Sequence, residues 1–149
     1  MNQAEIVQIA AAFVGSLGFA LLFNIRSKRL IAAAVGGLIS WLLFVVIHKW
    51  IPAEPVVYFL VACAISIYAE FMARILKTPT TAFIITSLIP LIPGASLYYT
   101  MVFAFQGDSA AFLPKAIYTL ELAAALALGI IVSTTVVRVA NRITYKKEK

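Results

Sequence analysis

Glu70 and Glu121 lie in stretches so apolar that hydropathy places both inside a lipid bilayer. A carboxylate there costs about 2.5–3.5 kcal/mol at the centre of a helix, so its default reading is functional. Both residues are off-centre, which lowers that cost. Glu70 is about a turn from the end of its segment, in line at four-residue spacing with Ala62, Ser66 and Arg74. It is a candidate for proton exchange, and an i,i+4 ion pair with Arg74 is the alternative. Glu121 is in line with Ala125, Gly129 and Ser133. It is the stronger candidate for a polar or proton-coupling role. Both carboxylates are expected to project from small-residue faces toward protein neighbours rather than lipid.

The stretch Pro90-Leu91-Ile92-Pro93-Gly94 interrupts an otherwise apolar run from about residue 80 to 105. The prolines lack N–H groups, so the carbonyls of Thr86 and Ile89 lose their helical partners. Gly94 adds backbone freedom. Residues 80–89 and 95–105 then form two half-spans of about 15 Å each, which puts the break near the middle of a bilayer. Irregular backbone at that depth is tolerated only where protein buries it or where it lines a wet cavity. A half-helix that starts there points free N–H groups and the positive end of its dipole at an anion such as a carboxylate. Ser96, Tyr98, Tyr99 and Thr100 add hydroxyls. The expected substrate-binding set is Thr86, Pro90, Pro93, Gly94, Ser96, Tyr98 and Tyr99. An ordinary proline kink satisfied by neighbouring helices is the simpler alternative.

Other chemistries find little support. Gly94-Ala95-Ser96 resembles the serine of intramembrane proteases only faintly, because Leu97 follows where glycine is wanted. The one histidine, His48, ends a different segment, and a serine nucleophile needs a base within reach. The sequence therefore predicts no enzyme, no cofactor and no metal site. A net charge of +6 raises nucleic-acid binding, but no basic stripe interleaves with aromatics, so no nucleic acid is expected. The single cysteine, Cys63, lies in an apolar run and reads as a small buried hydrophobe.

The elements that must hold these residues follow from composition. Of 149 residues, 63% are hydrophobic and 12% charged, far from the balance of a soluble domain. About 20 apolar residues are needed per span. Five runs meet that length, at about 4–23, 30–47, 56–73, 80–105 and 116–137. The prediction is an all-α integral membrane helical bundle of about five transmembrane helices, the fourth broken at Pro90-Pro93-Gly94. Residues 1–149 make one transmembrane domain. The N-terminal run lacks a positive n-region and reads as a retained helix rather than a cleaved signal. Ten of the twelve basic residues fall in the 24–30 loop, the 74–79 loop and the 138–149 tail. By the positive-inside rule the N-terminus is outside and the C-terminus cytoplasmic. A re-entrant fourth segment would change that. Trp50, Tyr58 and Tyr145 suit interfacial anchors, whereas Trp41 is too deep. Ala32, Gly36 and Ser40, then Ala62 and Ser66, then Ala125, Gly129 and Ser133 form stripes suited to close helix packing.

Two stretches carry a family resemblance. Gly18-Phe19-Ala20-Leu21-Leu22-Phe23-Asn24 ends the first run ahead of a basic loop, and Ser87 to Tyr98 contains the Pro-x-x-Pro-Gly break. With span order and length, they make nearly the whole chain resemble the small subunit of the threonine/serine exporter (ThrE) family. The match departs at Arg26, where relatives often carry proline. The resemblance implies a secondary exporter in two parts. A larger ThrE-type membrane partner supplies the other helices, and this part corresponds to the C-terminal half of fused members. The implied cargo is threonine, serine or a related small carboxylate, moved by the proton gradient across the bacterial inner membrane. A non-transporting scaffold that stabilises a partner is the competing reading, and a channel is a third.

Overall fold

The computed structural model describes residues 2–147, with side chains through residue 140. Six α-helices account for nearly all of it: α1 Gln3–Leu22, α2 Lys28–His48, α3 Glu54–Ile75, α4 Thr80–Leu88, α5 Gly94–Gln106 and α6 Ser109–Lys147. A 3-10 turn, Ile89–Leu91, follows α4, and no strand occurs among the described residues. The expected helical membrane bundle is therefore what forms. Four helices are long and apolar enough to cross a bilayer, and the bent α4–α5 pair makes a fifth candidate. The anchor predicted at Tyr145 lies outside the residues whose side chains are described.

Three helix ends use the same device. Asn24, Lys77 and Gly107 adopt positive φ of 58°, 48° and 69°. In each, the following N–H reaches back to a carbonyl of the last turn: Ile25 to Ala20, Thr78 to Ala73, Asp108 to Phe103. This left-handed cap satisfies carbonyls that the ending helix leaves free. Glycine takes the conformation without a Cβ penalty at 107, which gives α5 and α6 their tight hairpin. Asp108 then caps α6, its Oδ1 accepting the Ala111 N–H at 3.0 Å. At the first loop Arg26 Nε donates to Asn24 Oδ1 at 2.9 Å, which helps hold this turn.

Packing follows the small-residue stripes. A Cβ on Gly129 would lie 2.7 Å from both Ala62 Cβ and the Phe59 carbonyl oxygen, so α3 and α6 touch almost backbone to backbone. Cys63 Sγ lies 3.5 Å from the Gly129 carbonyl at the same seam. Gly36 receives Ser87 and the Tyr68 ring, whose hydroxyl donates to the Ala32 carbonyl at 2.8 Å. Without a hydrophobic drive between helices in lipid, such close approach supplies the association.

The α3–α6 contact is parallel. Glu54 meets Tyr118, Cys63 meets Gly129, and Glu70 with Arg74 shares a groove with Val136, Val137 and Ala140. Two parallel neighbours need a connection that returns the chain to the starting end, so α4 and α5 together traverse the bundle. The two are bent by 63° at the break between them. The loops holding Arg26, Lys28, Arg29, Arg74 and Lys77 fall at one end, and Glu5, Lys49 and Glu54 at the other.

Candidate functional site

The break begins as predicted and is completed differently. Pro90 ends the α-helical pattern, and the chain tightens into the 3-10 turn, where the Ile92 N–H donates to the Ile89 carbonyl at 3.1 Å. One carbonyl expected to be free is thus satisfied locally. The 3-10 geometry rises about 2.0 Å per residue against 1.5 Å in an α-helix. Over three residues that adds only about 1.5 Å, and the break stands level with Trp41 and Tyr58, nearer the end where α3 starts. Gly94 has no positive φ and open space where a Cβ would stand, so the turn does not depend on glycine's backbone freedom. The prolines make the bend, and Gly94 leaves room.

That room is a cavity of about 360 Å³. Pro90, Pro93, Gly94, Ser96 and Tyr99 line it from the break. Trp41 of α2, Glu54 and Tyr58 of α3, and Lys115 and Tyr118 of α6 close it from the sides. The first turn of α5 faces this space with donors unspent. Leu97 N–H reaches the Pro93 carbonyl at 3.0 Å and Gly94 N–H the Ile92 carbonyl at 2.6 Å, while Ala95 and Ser96 N–H have no acceptor among the described residues. Ser96 is 7% exposed, and its hydroxyl makes no hydrogen bond to protein. Two free N–H groups at a helix start, a buried hydroxyl and the positive end of the helix dipole together suit an anion or the carboxylate of a small molecule.

Five of the seven predicted binding residues meet here. The other two do not. Thr86 is fully buried on α4, and its hydroxyl donates to the Ala82 carbonyl at 2.8 Å, within its own helix. Tyr98 is exposed on another face of α5 and meets the Tyr99 ring edge-on at 5.4 Å. Thr100 bridges α5 to α6 through Thr119 at 3.1 Å, which makes it a packing residue.

The carboxylates also separate from the cavity. Glu70 is half-buried in the groove near the opposite end, beside Arg74, with no ion pair between them. Glu121 is exposed, although Ala125, Gly129 and Ser133 are buried. The reason is angular. At about 100° per residue each four-residue step drifts by about 40°, so a stripe read across three steps has turned by about 120°. Glu121 therefore points outward from this chain.

Sequence reasoning missed the polar wall opposite the break. Glu54 opens α3 beside Pro52 and Pro55. Its Oε2 accepts a hydrogen bond from the Tyr118 hydroxyl. Lys115 Nζ stands 5.1 Å from the centre of the Tyr118 ring, within cation–π range. Only the parallel register of α3 and α6 brings these three together, and no local pattern encodes it. The described residues contain no group of three or more His, Cys, Asp or Glu that could hold a metal.

No curated protein and no solved structure matches this chain. A family model described as "Threonine/Serine exporter, ThrE" matches residues 8–136. Broken span, family match and apolar helices agree: the chain is a multi-pass membrane protein of transport type, and it belongs to the threonine/serine exporter family.

Proposed function

We propose that this chain is the small subunit of a proton-coupled secondary transporter that exports threonine, serine or related small carboxylates together with a larger membrane partner. The observation that carries this reading is the unsatisfied start of α5 at a break that faces a cavity inside the bundle. The carboxylate of the cargo meets the Ala95 and Ser96 N–H groups, and the Ser96 and Tyr99 hydroxyls complete its contacts. Secondary transporters place cargo at discontinuous helices for this reason: half-helix ends offer charge and hydrogen bonds without an unpaired side-chain ion.

Glu121 and Glu70 are the proposed proton carriers, working at a distance from the cavity. Glu121 also supports the partner. It stands on an outward face with Ile117, Leu120 and Leu128, and an acid at such a depth calls for protein cover rather than lipid. The basic loops at one end orient the chain with its N-terminus outside and its C-terminus in the cytoplasm of a bacterial cell. In that orientation the cavity lies nearer the outer face.

The test is efflux of labelled threonine and serine from preloaded cells that lack their own exporters. This chain, the larger partner, and both together are compared. Efflux from the pair alone is the expected result. Gly94→Leu then fills the cavity from a position where an added Cβ meets nothing within 4 Å, so the protein should accumulate normally and efflux should cease. Unchanged efflux from that variant would remove the site assignment. A pair that co-purifies yet moves no cargo would favour the scaffold reading.

A further inference from the structure

We infer that Glu54 seats the ammonium group of a zwitterionic cargo and thereby makes the cavity select amino acids over carboxylates that lack one. This rests on the cavity at the break being the cargo site. At about 360 Å³ the space falls at the small end of ligand pockets, which run about 300–1,000 Å³. Opposite signs face each other across it. The start of α5 offers N–H groups and positive dipole, and Glu54 from α3 offers a carboxylate.

Among the described residues Glu54 has no cationic partner. A carboxylate accepts about four hydrogen bonds, and among the described residues its side chain receives one, from the Tyr118 hydroxyl. Lys115 is the cation in the same cavity, yet it stacks over the Tyr118 ring and makes no ion pair with Glu54. Lys49 is engaged elsewhere, its Nζ 2.9 Å from Glu5 Oε2. The remaining groups around the space are neutral: Tyr58 one turn along α3, Trp41 on α2 and Tyr99 on α5. A half-buried acid with most of its acceptor capacity free calls for a charged donor, and an α-ammonium supplies three N–H groups and the charge.

The same arrangement rejects. A plain carboxylate held at the start of α5 would bring a second negative charge into the cavity with Glu54 and leave that acid without a cationic donor. Discrimination then comes from repulsion as well as attraction. Rejection of an analogue that leaves a built polar group unpaired is the stronger form of selectivity.

The experiment measures export by the full chain with its larger partner, using three probes. They are L-threonine, 3-hydroxybutyrate (threonine without its amine) and 1-amino-2-propanol (threonine without its carboxylate). The wild type should prefer threonine to both. Glu54→Gln should raise KM for threonine about tenfold or more, the range for losing a hydrogen bond to a charged group. KM for 3-hydroxybutyrate should not rise, and Glu54→Asp should recover part of the threonine affinity. Tyr118→Phe, which removes the protein donor but keeps the acid, should retain the preference. If Glu54 only clasps α3 to α6, Tyr118→Phe and Glu54→Gln would instead behave alike and impair all cargoes equally. That result overturns the assignment, as does a threonine KM within twofold of wild type in Glu54→Gln. Should that variant not reach the membrane, the wild type decides by itself, since equal export of threonine and 3-hydroxybutyrate also overturns it. Export of none of the probes by the wild type would instead sink the reading of the cavity, and this proposal with it.

Discussion

Gly129→Ala tests whether the α3–α6 seam governs the stability of the bundle. The added Cβ would stand 2.7 Å from Ala62 Cβ, 2.7 Å from the Phe59 carbonyl oxygen and 3.3 Å from the Cys63 nitrogen. Carbon atoms rest about 3.5–4.0 Å apart, so the helices must separate by about 1 Å. Two of the three obstacles are backbone atoms that cannot rotate away. Overpacking of this kind costs about 1–3 kcal/mol. Alanine also gains about 1 kcal/mol of helix propensity over glycine, so the reference must share that gain. Gly15→Ala does, because its Cβ meets nothing within 4 Å. Taking about 2 kcal/mol for the clash, Gly129→Ala should melt about 4–8 °C below Gly15→Ala. Thermal unfolding of both in the same detergent reads the difference. Ala62→Gly in the Gly129→Ala background should restore part of it by removing one obstacle and leaving Phe59. Melting of Gly129→Ala at or above Gly15→Ala would refute the close-approach argument.

Three further outcomes follow from the same geometry. Ser66 and Ser87 are fully buried, and their hydroxyls have no hydrogen-bond partner. Removing an unsatisfied buried group recovers about 1–3 kcal/mol of desolvation, so Ser66→Ala and Ser87→Ala should melt at or above wild type, and a clear drop would reveal a missing partner. In a Cys63→Ala background, Arg26→Cys and Gln106→Cys should react with an impermeant maleimide from opposite sides of the membrane, because α4 and α5 together cross the bundle. Labelling of both from one side would make the pair re-entrant. Glu121→Gln should uncouple threonine efflux from an imposed pH gradient without altering the amount of protein, and efflux still concentrated by that gradient would clear Glu121 of proton transfer.

The architecture was written plainly into the sequence. Runs of about 20 apolar residues bounded by Asn24, Lys77 and Gly107 define helices almost to the residue, since each boundary needs a left-handed residue or a charge. α6 is the exception. It begins at Ser109 and not near residue 116, since Asp108 caps it and Pro114 lies inside the helix without ending it. The break was legible because proline has no N–H to give. Its level beside Trp41 and Tyr58 was not, because that depends on how neighbouring helices pack. Glu54, Lys115 and Tyr118 were out of reach for a related reason. Separated by some sixty residues, they meet only through the parallel register of two helices, and no periodicity in one segment reports its alignment with another. Glu121 shows the converse error, a one-dimensional stripe taken for a face that a helix turns away from.

The unbroken length of α6 has a mechanical consequence. Its 39 residues make a rod of about 58 Å, pressed close against α3 at Gly129. A point of close approach acts as a fulcrum. Tyr118 lies about 16 Å of helix rise on one side of it and Lys147 about 27 Å on the other. Rocking the rod by about 10° would shift the Tyr118 end by about 3 Å and the basic end by nearly twice as much, in the opposite direction. Opening the Glu54–Tyr118 wall of the cavity and moving the far, basic end are then two readings of one motion. A partner that grips either end would command both.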